Sequence, residues 1–283
     1  MTVRTCTKVN VGLNVLRKRP DGYHDLETLF VPYWGFGDEL TVGQADDLSI
    51  EIEREGGVDW DPMEDLTVRA WRLLRADFPH LPPVRIRLVK GAPVGAGLGG
   101  GSADAAFMLR ALNELGGLGL NDAALASYAA KLGSDCAFFV YCRPMFGSGR
   151  GEILEPFDID LSGYELRVAI PVDRVTGRPV AVSTREAYIG IVPRNDWEAA
   201  ARQPEWRIGQ EDPSHPLREA LKLPVEQWRG VVVNDFEATV CPLHPEIPAL
   251  IERFYADGAV YAAMSGSGAA VFGLFPGESA PKK

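Results

Sequence analysis

The run from Pro93 to Ala106, Pro-Val-Gly-Ala-Gly-Leu-Gly-Gly-Gly-Ser-Ala-Asp-Ala-Ala, constrains this chain more than any other. Glycine loses much backbone entropy on folding and buries no side chain. The five glycines between Gly95 and Gly101 therefore do not serve a core; they let backbone N–H groups come close to a ligand. Ser102 to Leu115 follows with apolar residues at helical spacing. A glycine loop feeding a helix start gathers unpaired N–H donors and the positive end of the helix dipole at one point, which suits an anion such as a phosphate. Ser102 is expected to cap this helix, and Asp104 suits its first turn. A tight turn alone would need only one or two glycines.

Several phosphate-binding patterns fail. Gly95, Gly97 and Gly100 spell G-x-G-x-x-G, and Val84–Lys90 reads as a preceding strand. A dinucleotide fold would then bring a second strand ending in an acidic residue. Instead Gly116-Gly117 leads into another helical stretch, 122–132. The chain has no Gly-Lys-Ser/Thr tripeptide and no His-Arg-Asp, and Asp235-Phe236 is followed by Glu237 rather than glycine. Walker and protein-kinase loops are thereby excluded.

A length of 283 residues suggests two domains, and 46% hydrophobic content is ample for their cores. The net charge of −10 argues against nucleic acid or an anionic membrane surface as a partner. Positive potential for an anionic ligand must then be local, and the glycine loop supplies it with backbone dipoles. Cys6, Cys136, Cys142 and Cys241 contain no C-x-x-C pair and read as buried free thiols. The histidines at 24, 80, 215 and 244 are scattered. With no apolar leader and no membrane-length run, the expected location is the cytoplasm.

Alternation predicts strands over 3–16, 25–33, 38–43, 48–54 and 84–90. In the first, Val9, Val11, Leu13 and Val15 share one face, while Lys8, Asn10, Gly12 and Asn14 share the other. Helices are predicted over 63–78, 102–115, 122–132 and 245–255. A further strand over 166–171 and two flanking Ser265–Gly268 complete the pattern. Residues 193–216 read as short helices and surface loop, and 277–283 as a disordered tail.

Three segments in order resemble the GHMP kinases: the glycine loop, Thr7-Lys-Val-Asn-Val-Gly-Leu13 near the start, and Met264-Ser-Gly-Ser-Gly-Ala-Ala-Val-Phe272 near the end. Arg19-Pro-Asp-Gly-Tyr-His-Asp-Leu-Glu-Thr-Leu-Phe30 and Lys131-Leu-Gly-Ser-Asp-Cys-Ala-Phe-Phe139 resemble the branch acting on a cytidine diphosphate derivative in the non-mevalonate isoprenoid pathway. The resemblance implies an α/β (α+β) two-domain GHMP kinase fold with an active-site cleft between the domains, here 1–158 and 159–283. It implies ATP-dependent phosphorylation of an alcohol. Homoserine- or mevalonate-type kinases and a catalytically silent nucleotide-binding regulator are the alternatives.

On its own, Asp135 could be an ordinary helix-capping aspartate and Lys8 a solvated strand lysine. The resemblance implies that Asp135 is the catalytic base and Lys8 its electrostatic partner. It implies that Pro93, Val94, Gly95, Ala96, Gly97, Leu98, Gly99, Gly100, Gly101, Ser102 and Ala103 surround the ATP phosphates. Lys90, Leu66 and Asp65 would lie near the adenosine, with aspartate at 65 where asparagine is usual. Asn10, Tyr23, His24 and Phe30 would bind the cytidine substrate, with Tyr188, Ser183 and Thr184 contributing from the second domain. Mg²⁺ would ride mainly on ATP, with Ser102 as its protein contact.

Overall fold

The computed structural model describes residues 1–196 and 217–277. Most of the predicted 193–216 loop and of the tail lie outside the described residues. The chain forms two compact units. The first comprises 1–8, 32–94 and 99–143; the second comprises 9–31, 95–98 and 144–283. They interleave because strands early in the chain pair with strands past residue 144, so the contacts do not divide at 158/159.

In the first unit, β1 (Thr2–Arg4), β4 (Glu39–Gln44), β6 (Val84–Val89) and β5 (Ser49–Glu53) form a sheet in the order β1-β4-β6-β5. β4 runs antiparallel to β1 and β6, and β5 runs parallel to β6. Strict alternation shapes β6: Val84, Ile86 and Leu88 are buried while Arg85 and Arg87 face solvent. Four helices complete the unit: α1 (Leu66–Asp77), α2 (Gly100–Leu115), α3 (Asp122–Ala130) and α4 (Cys136–Tyr141). α2 packs against the other three. It is buried on most of its circumference, and Ala103, Ala105, Ala106 and Ala111 let its neighbours approach. Truncating the fully buried Leu112 in its last turn would cost about 2–5 kcal/mol.

In the second unit, β2 (Thr7–Lys18, beginning in the first unit), β3 (His24–Tyr33), β7 (Met145–Ser148) and β8 (Ile153–Pro156) form one sheet in that order. A second, antiparallel sheet has the order β10-β11-β9, from Tyr261–Met264, Val271–Pro276 and Tyr164–Ala169. The helix Glu246–Ala256 turns Ile247, Ile251 and Phe254 into an apolar cluster with Met264, Val271 and Phe275.

The expectation of one apolar and one polar face on β2 needs correction. Residues 7–15 are buried on both faces. Gly12 shows why the sequence pattern misleads. Its φ is +69°, and a Cβ there would meet Leu217 at 2.5 Å and Val232 at 3.0 Å. The face that reads as polar is covered by later chain. Ser102 is also corrected: it does not cap α2. The helix begins at Gly100, and the capping position is Gly99 in the left-handed conformation (φ 74°, ψ 20°), which glycine adopts without strain.

Candidate active site

In the first unit, Gly99 brings the α2 start against the expected catalytic pair. A Cβ at Gly99 would lie 3.0 Å from the Phe139 ring and 3.3 Å from Lys8 Cε. The first intrahelical bond runs from Ala103 N to Gly99 O (2.9 Å). Helix geometry therefore leaves the N–H groups of Gly100, Gly101 and Ser102 without intrahelical acceptors. Ser102, in the first turn, hydrogen-bonds the Cys136 thiol, which burial pushes up to about 11. Its neighbour Asp135 precedes α4, yet its carboxylate makes no capping bond. Instead Asp135 Oδ2 lies 3.5 Å from Lys8 Nζ. Burial pulls the Lys8 pKa below the ordinary lysine value, and the opposite charge of Asp135 offsets this only partly. The geometry thus replaces both the capping aspartate and the solvated lysine with a half-dry ion pair at a helix N-terminus.

Lys90 is not a surface group. Its ammonium is buried between Asp38 and Asp104, 2.6 Å from Asp104 Oδ2. Asp38 Oδ1 accepts from the N–H groups of Gly91 (2.7 Å) and Ala92 (2.8 Å). Thr5 donates to Asp104 Oδ1 (3.2 Å) and accepts from Asp38 N (3.0 Å). Asp38 Oδ2 sits 3.7 Å from the position of a Cβ at Gly100, so this network underlies the start of α2. Two carboxylates and one ammonium would place a net negative charge under an anion site. Burial answers this by pushing the Asp104 carboxyl up to about 8, with Asp38 adding to the shift against the pull of Lys90.

Asp65 caps α1. Its Oδ1 accepts from Thr67 N (2.9 Å) and Thr67 Oγ1 (2.7 Å), and its Oδ2 accepts from Trp60 Nε1 (3.2 Å). A carboxylate at this position is thereby explained by acceptor work alone. Leu66 stands beside the phosphate-loop helix, its Cδ1 3.9 Å from a Cβ at Gly101. Pro93 is half-buried and Val94 exposed.

In the second unit, Gly95 to Leu98 meets the C-terminal glycine motif. Ala96 O accepts from Ala270 N (3.2 Å). A Cβ at Gly97 would fall 2.7 Å from Ser265 O and 2.9 Å from Gly268 O. Asn234 braces the same motif, donating from Nδ2 to Met264 O and Gly266 O, both at 2.8 Å. Asn10 is buried; its Nδ2 donates to Thr28 Oγ1 (3.0 Å), and its backbone N–H donates to Ser265 Oγ (3.1 Å).

The second unit also brings the predicted aromatics together. The His24 imidazole stacks on the Tyr188 ring with centroids 4.6 Å apart and planes 18° from parallel. Burial, with the nearby Lys18 charge, lowers the His24 pKa, so the ring is neutral near pH 7. Tyr188 packs edge-on against Phe236 at 4.8 Å. Exposed Tyr23 lies under the Arg150 guanidinium, 4.7 Å from its ring centre. Their turn is braced by Arg19, which pairs with Asp21 and Asp25. Ser183 caps α5 (Thr184–Tyr188), and Thr184 Oγ1 lies 3.3 Å from Ser267 Oγ. Phe30 is buried at Gly147, where a Cβ would come within 2.5 Å of its ring. It is core, unlike Tyr23.

Sequence reasoning missed Asp38, Arg150, Thr28 and Asn234. Nothing in the run Asn234–Glu237 signals that Asn234 and Glu237 hold the glycine motif; the bonds to Met264 and Gly266 arise only in the fold. Among the described residues, no group of three or more His, Cys, Asp or Glu side chains could hold a metal. No described helix is long and apolar enough to cross a membrane.

Comparison with known proteins gives a consistent result. Residues 65–143 match the model of the GHMP kinases N terminal domain, and 219–283 match that of the GHMP kinases C terminal region. A 4-diphosphocytidyl-2-C-methyl-D-erythritol kinase of Bacteroides fragilis is 44% identical over 96% of this chain and 90% of its own. That of Bacteroides thetaiotaomicron is 42% identical over the same shares. A crystal structure of 4-(cytidine 5'-diphospho)-2C-methyl-D-erythritol kinase superposes with a TM-score of 0.73 at 31% identity, covering 97% of this chain and 90% of that one. The mevalonate kinase of Methanococcus jannaschii, at 10% identity and TM-score 0.64 over 97% and 90% of the two chains, shares the fold.

Proposed function

We propose a specific reaction for this chain, which belongs to the 4-diphosphocytidyl-2-C-methyl-D-erythritol kinases of the GHMP family: transfer of the ATP γ-phosphoryl group to the 2-hydroxyl of 4-diphosphocytidyl-2-C-methyl-D-erythritol. The observation that carries the reading is the Lys8–Asp135 pair beside the α2 start, whose first N–H groups have no intrahelical acceptor. Phosphoryl transfer is mostly positioning and charge stabilisation. Asp135, the wetter member of the pair, takes the hydroxyl proton. The alcohol oxygen forms its bond to γ-phosphorus as the bridging oxygen bond breaks, and ADP leaves. Lys8 steadies the alkoxide and the transferring oxygens, while the α2 amides hold phosphate.

The donor set suits a magnesium ion carried on the nucleotide. Ser102 offers one hydroxyl, and among the described residues no carboxylate cluster competes for a resident metal. The ion would supply charge neutralisation between phosphates. In the second unit, His24 and Tyr188 cover each other's inner faces, so cytosine would stack on an outer face of this pair. The same reading places the enzyme in the cytoplasm, where ATP is abundant; its cysteines are free thiols.

Incubating the protein with ATP, Mg²⁺ and the cytidine substrate should release ADP and add one phosphate, located on the 2-oxygen by phosphorus NMR. Mevalonate and homoserine should give no product. A preference for either, or no ADP with any alcohol, would overturn the proposal.

A further inference from the structure

The Lys8–Asp135 pair is flanked by two thiols that the reaction does not use. Cys6 lies two residues before Lys8, and Cys142 ends the short helix that Asp135 begins. Their sulfurs are 3.7 Å apart although 136 residues separate them in sequence. Cys6 is fully buried, whereas Cys142 is partly exposed. Cys142 has a left-handed backbone (φ 45°, ψ 44°), unusual for a residue with a side chain, which turns the chain sharply at the helix end. Its S–H donates to Phe139 O (3.0 Å), a bond that opens when the thiol ionises.

We propose that Cys6 and Cys142 are a reversible oxidation site, and that a disulfide between them slows phosphoryl transfer. The reactivity is divided between the two thiols. The hydrogen bond from Cys6 holds the Cys142 thiol below its ordinary pKa; desolvation opposes this, and the Arg110 guanidinium assists. Cys6 is pushed up, first by that hydrogen bond and then by burial. Cys142, the partly exposed thiol, is the one that peroxide reaches, and fully buried Cys6 is the resolving thiol. With hydrogen peroxide as oxidant, the Cys142 thiolate attacks one oxygen; the S–O bond forms, the O–O bond breaks and hydroxide leaves as water. The Cys6 sulfur, giving up its proton, then attacks Cys142 sulfur. The S–S bond forms and a second water departs. Two thiols are oxidised and one peroxide is reduced. A small dithiol reverses the reaction by exchange.

Closing the gap to bonding distance requires the sulfurs to approach by about 1.6 Å. Six-residue α4 carries Asp135 at one end and Cys142 at the other, and Cys6 is tied to Lys8 through one intervening residue. The bond therefore strains the geometry of the pair from both sides, and displacements near 1 Å cost about 100-fold in rate at such sites.

The effect on rate rests on the kinase reading above; formation of the bond does not. The full chain is treated with stoichiometric peroxide, alkylated and mapped by mass spectrometry, while kcat is measured before and after dithiothreitol. A Cys6–Cys142 peptide, with kcat at least about tenfold lower and restored by dithiothreitol, is expected. Cys142→Ser and Cys6→Ala should keep the reduced activity and resist peroxide. Oxidation at Cys136 or Cys241 alone, a mapped bond with unchanged kcat, or full peroxide inactivation of Cys142→Ser would each overturn the proposal. A reduced protein without kinase activity would count against the reaction instead, and the thiol map would then decide the bond by itself.

Discussion

Lys8 Nζ lies 3.5 Å from Asp135 Oδ2, and the two groups are unequally wet: the lysine side chain is 5% exposed and the aspartate 33%. The difference fits the roles proposed for them. A general base must reach an alcohol proton, and the open side of Asp135 permits it; a buried ammonium acts at full strength because water does not screen it. Asp135→Asn keeps shape and removes basicity. Turnover should fall by about 10²–10⁴ while ATP affinity holds. A variant as fast as the parent would remove Asp135 from the chemistry.

The depressed pKa of Lys8 sets an alkaline limit. Burial favours the neutral amine, and Asp135 restores the charge only in part. Rate therefore falls as pH rises through a value below 10.5, the ordinary lysine value. For stability the sign is opposite. Between that value and 10.5 the unfolded chain binds more protons at this position, so Lys8 makes stability rise with pH. Lys8→Arg, which stays charged, should lose the alkaline fall in kcat. An unchanged profile would assign that fall to another group.

The anion-binding character of the glycine loop is legible in the chain because it is local. Lys8 and Asp135 are not legible in that way: their neighbours alone fit a solvated lysine and a capping aspartate, and only the resemblance of Thr7–Leu13 and Lys131–Phe139 to the GHMP kinases implies their roles. The remainder depends on pairings that no periodicity records. Lys90 meets Asp38 across 52 positions, so it read as a ligand contact although the fold buries it. The buried second face of β2 has the same origin: Asn10 and Gly12 look solvent-facing until Ser265, Leu217 and Val232 arrive from far along the chain. Sequence preference favours serine as a cap and points to Ser102, whereas the capping position is Gly99. The tight approach of Phe139 and Lys8 at Gly99 demands the residue without a side chain.

Gly97 offers a test of backbone packing. Its φ is +76°, and a Cβ would lie 2.7 Å from Ser265 O and 2.9 Å from Gly268 O. Left-handed strain alone costs about 1–2 kcal/mol, and the carbonyls belong to backbone that cannot swing away. Gly97→Ala should raise KM for ATP by at least about tenfold, since 1.4 kcal/mol is a factor of ten. Gly95→Ala has a similar φ of +74° but nothing within 4 Å, so it should cost less. Equal losses in the two variants would refute the close-contact argument.

Asp104 makes the fold itself sensitive to pH. Its carboxyl, near 3.8 when exposed, is pushed up to about 8. The folded chain then keeps a proton that the unfolded chain has released, so this group favours folding at low pH. The contribution is complete below about 3.8 and is lost as pH rises through about 8. The slope is at most about 1.4 kcal/mol per pH unit for one proton. Melting temperature should fall between pH 5 and 8 by a component that Asp104→Asn abolishes. A variant with the parent's full slope would place the proton elsewhere.

Tyr188 and His24 provide the last test, because they bear on recognition rather than chemistry. Their rings are parallel at 4.6 Å, and Phe236 supports Tyr188 edge-on. A base stacked on one aromatic face contributes about 1–3 kcal/mol. If cytosine uses this surface, Tyr188→Ala should raise KM for the cytidine substrate about 5- to 150-fold, with kcat and the KM for ATP little changed. Tyr188→Phe keeps the face and loses only the hydroxyl, so it should restore most of the affinity. His24→Ala should follow Tyr188→Ala rather than Asp135→Asn. A parallel rise in KM for ATP, or failure of phenylalanine to rescue, would show that the ring at 188 acts by holding up Phe236 and the core beneath it, and that cytosine is bound elsewhere.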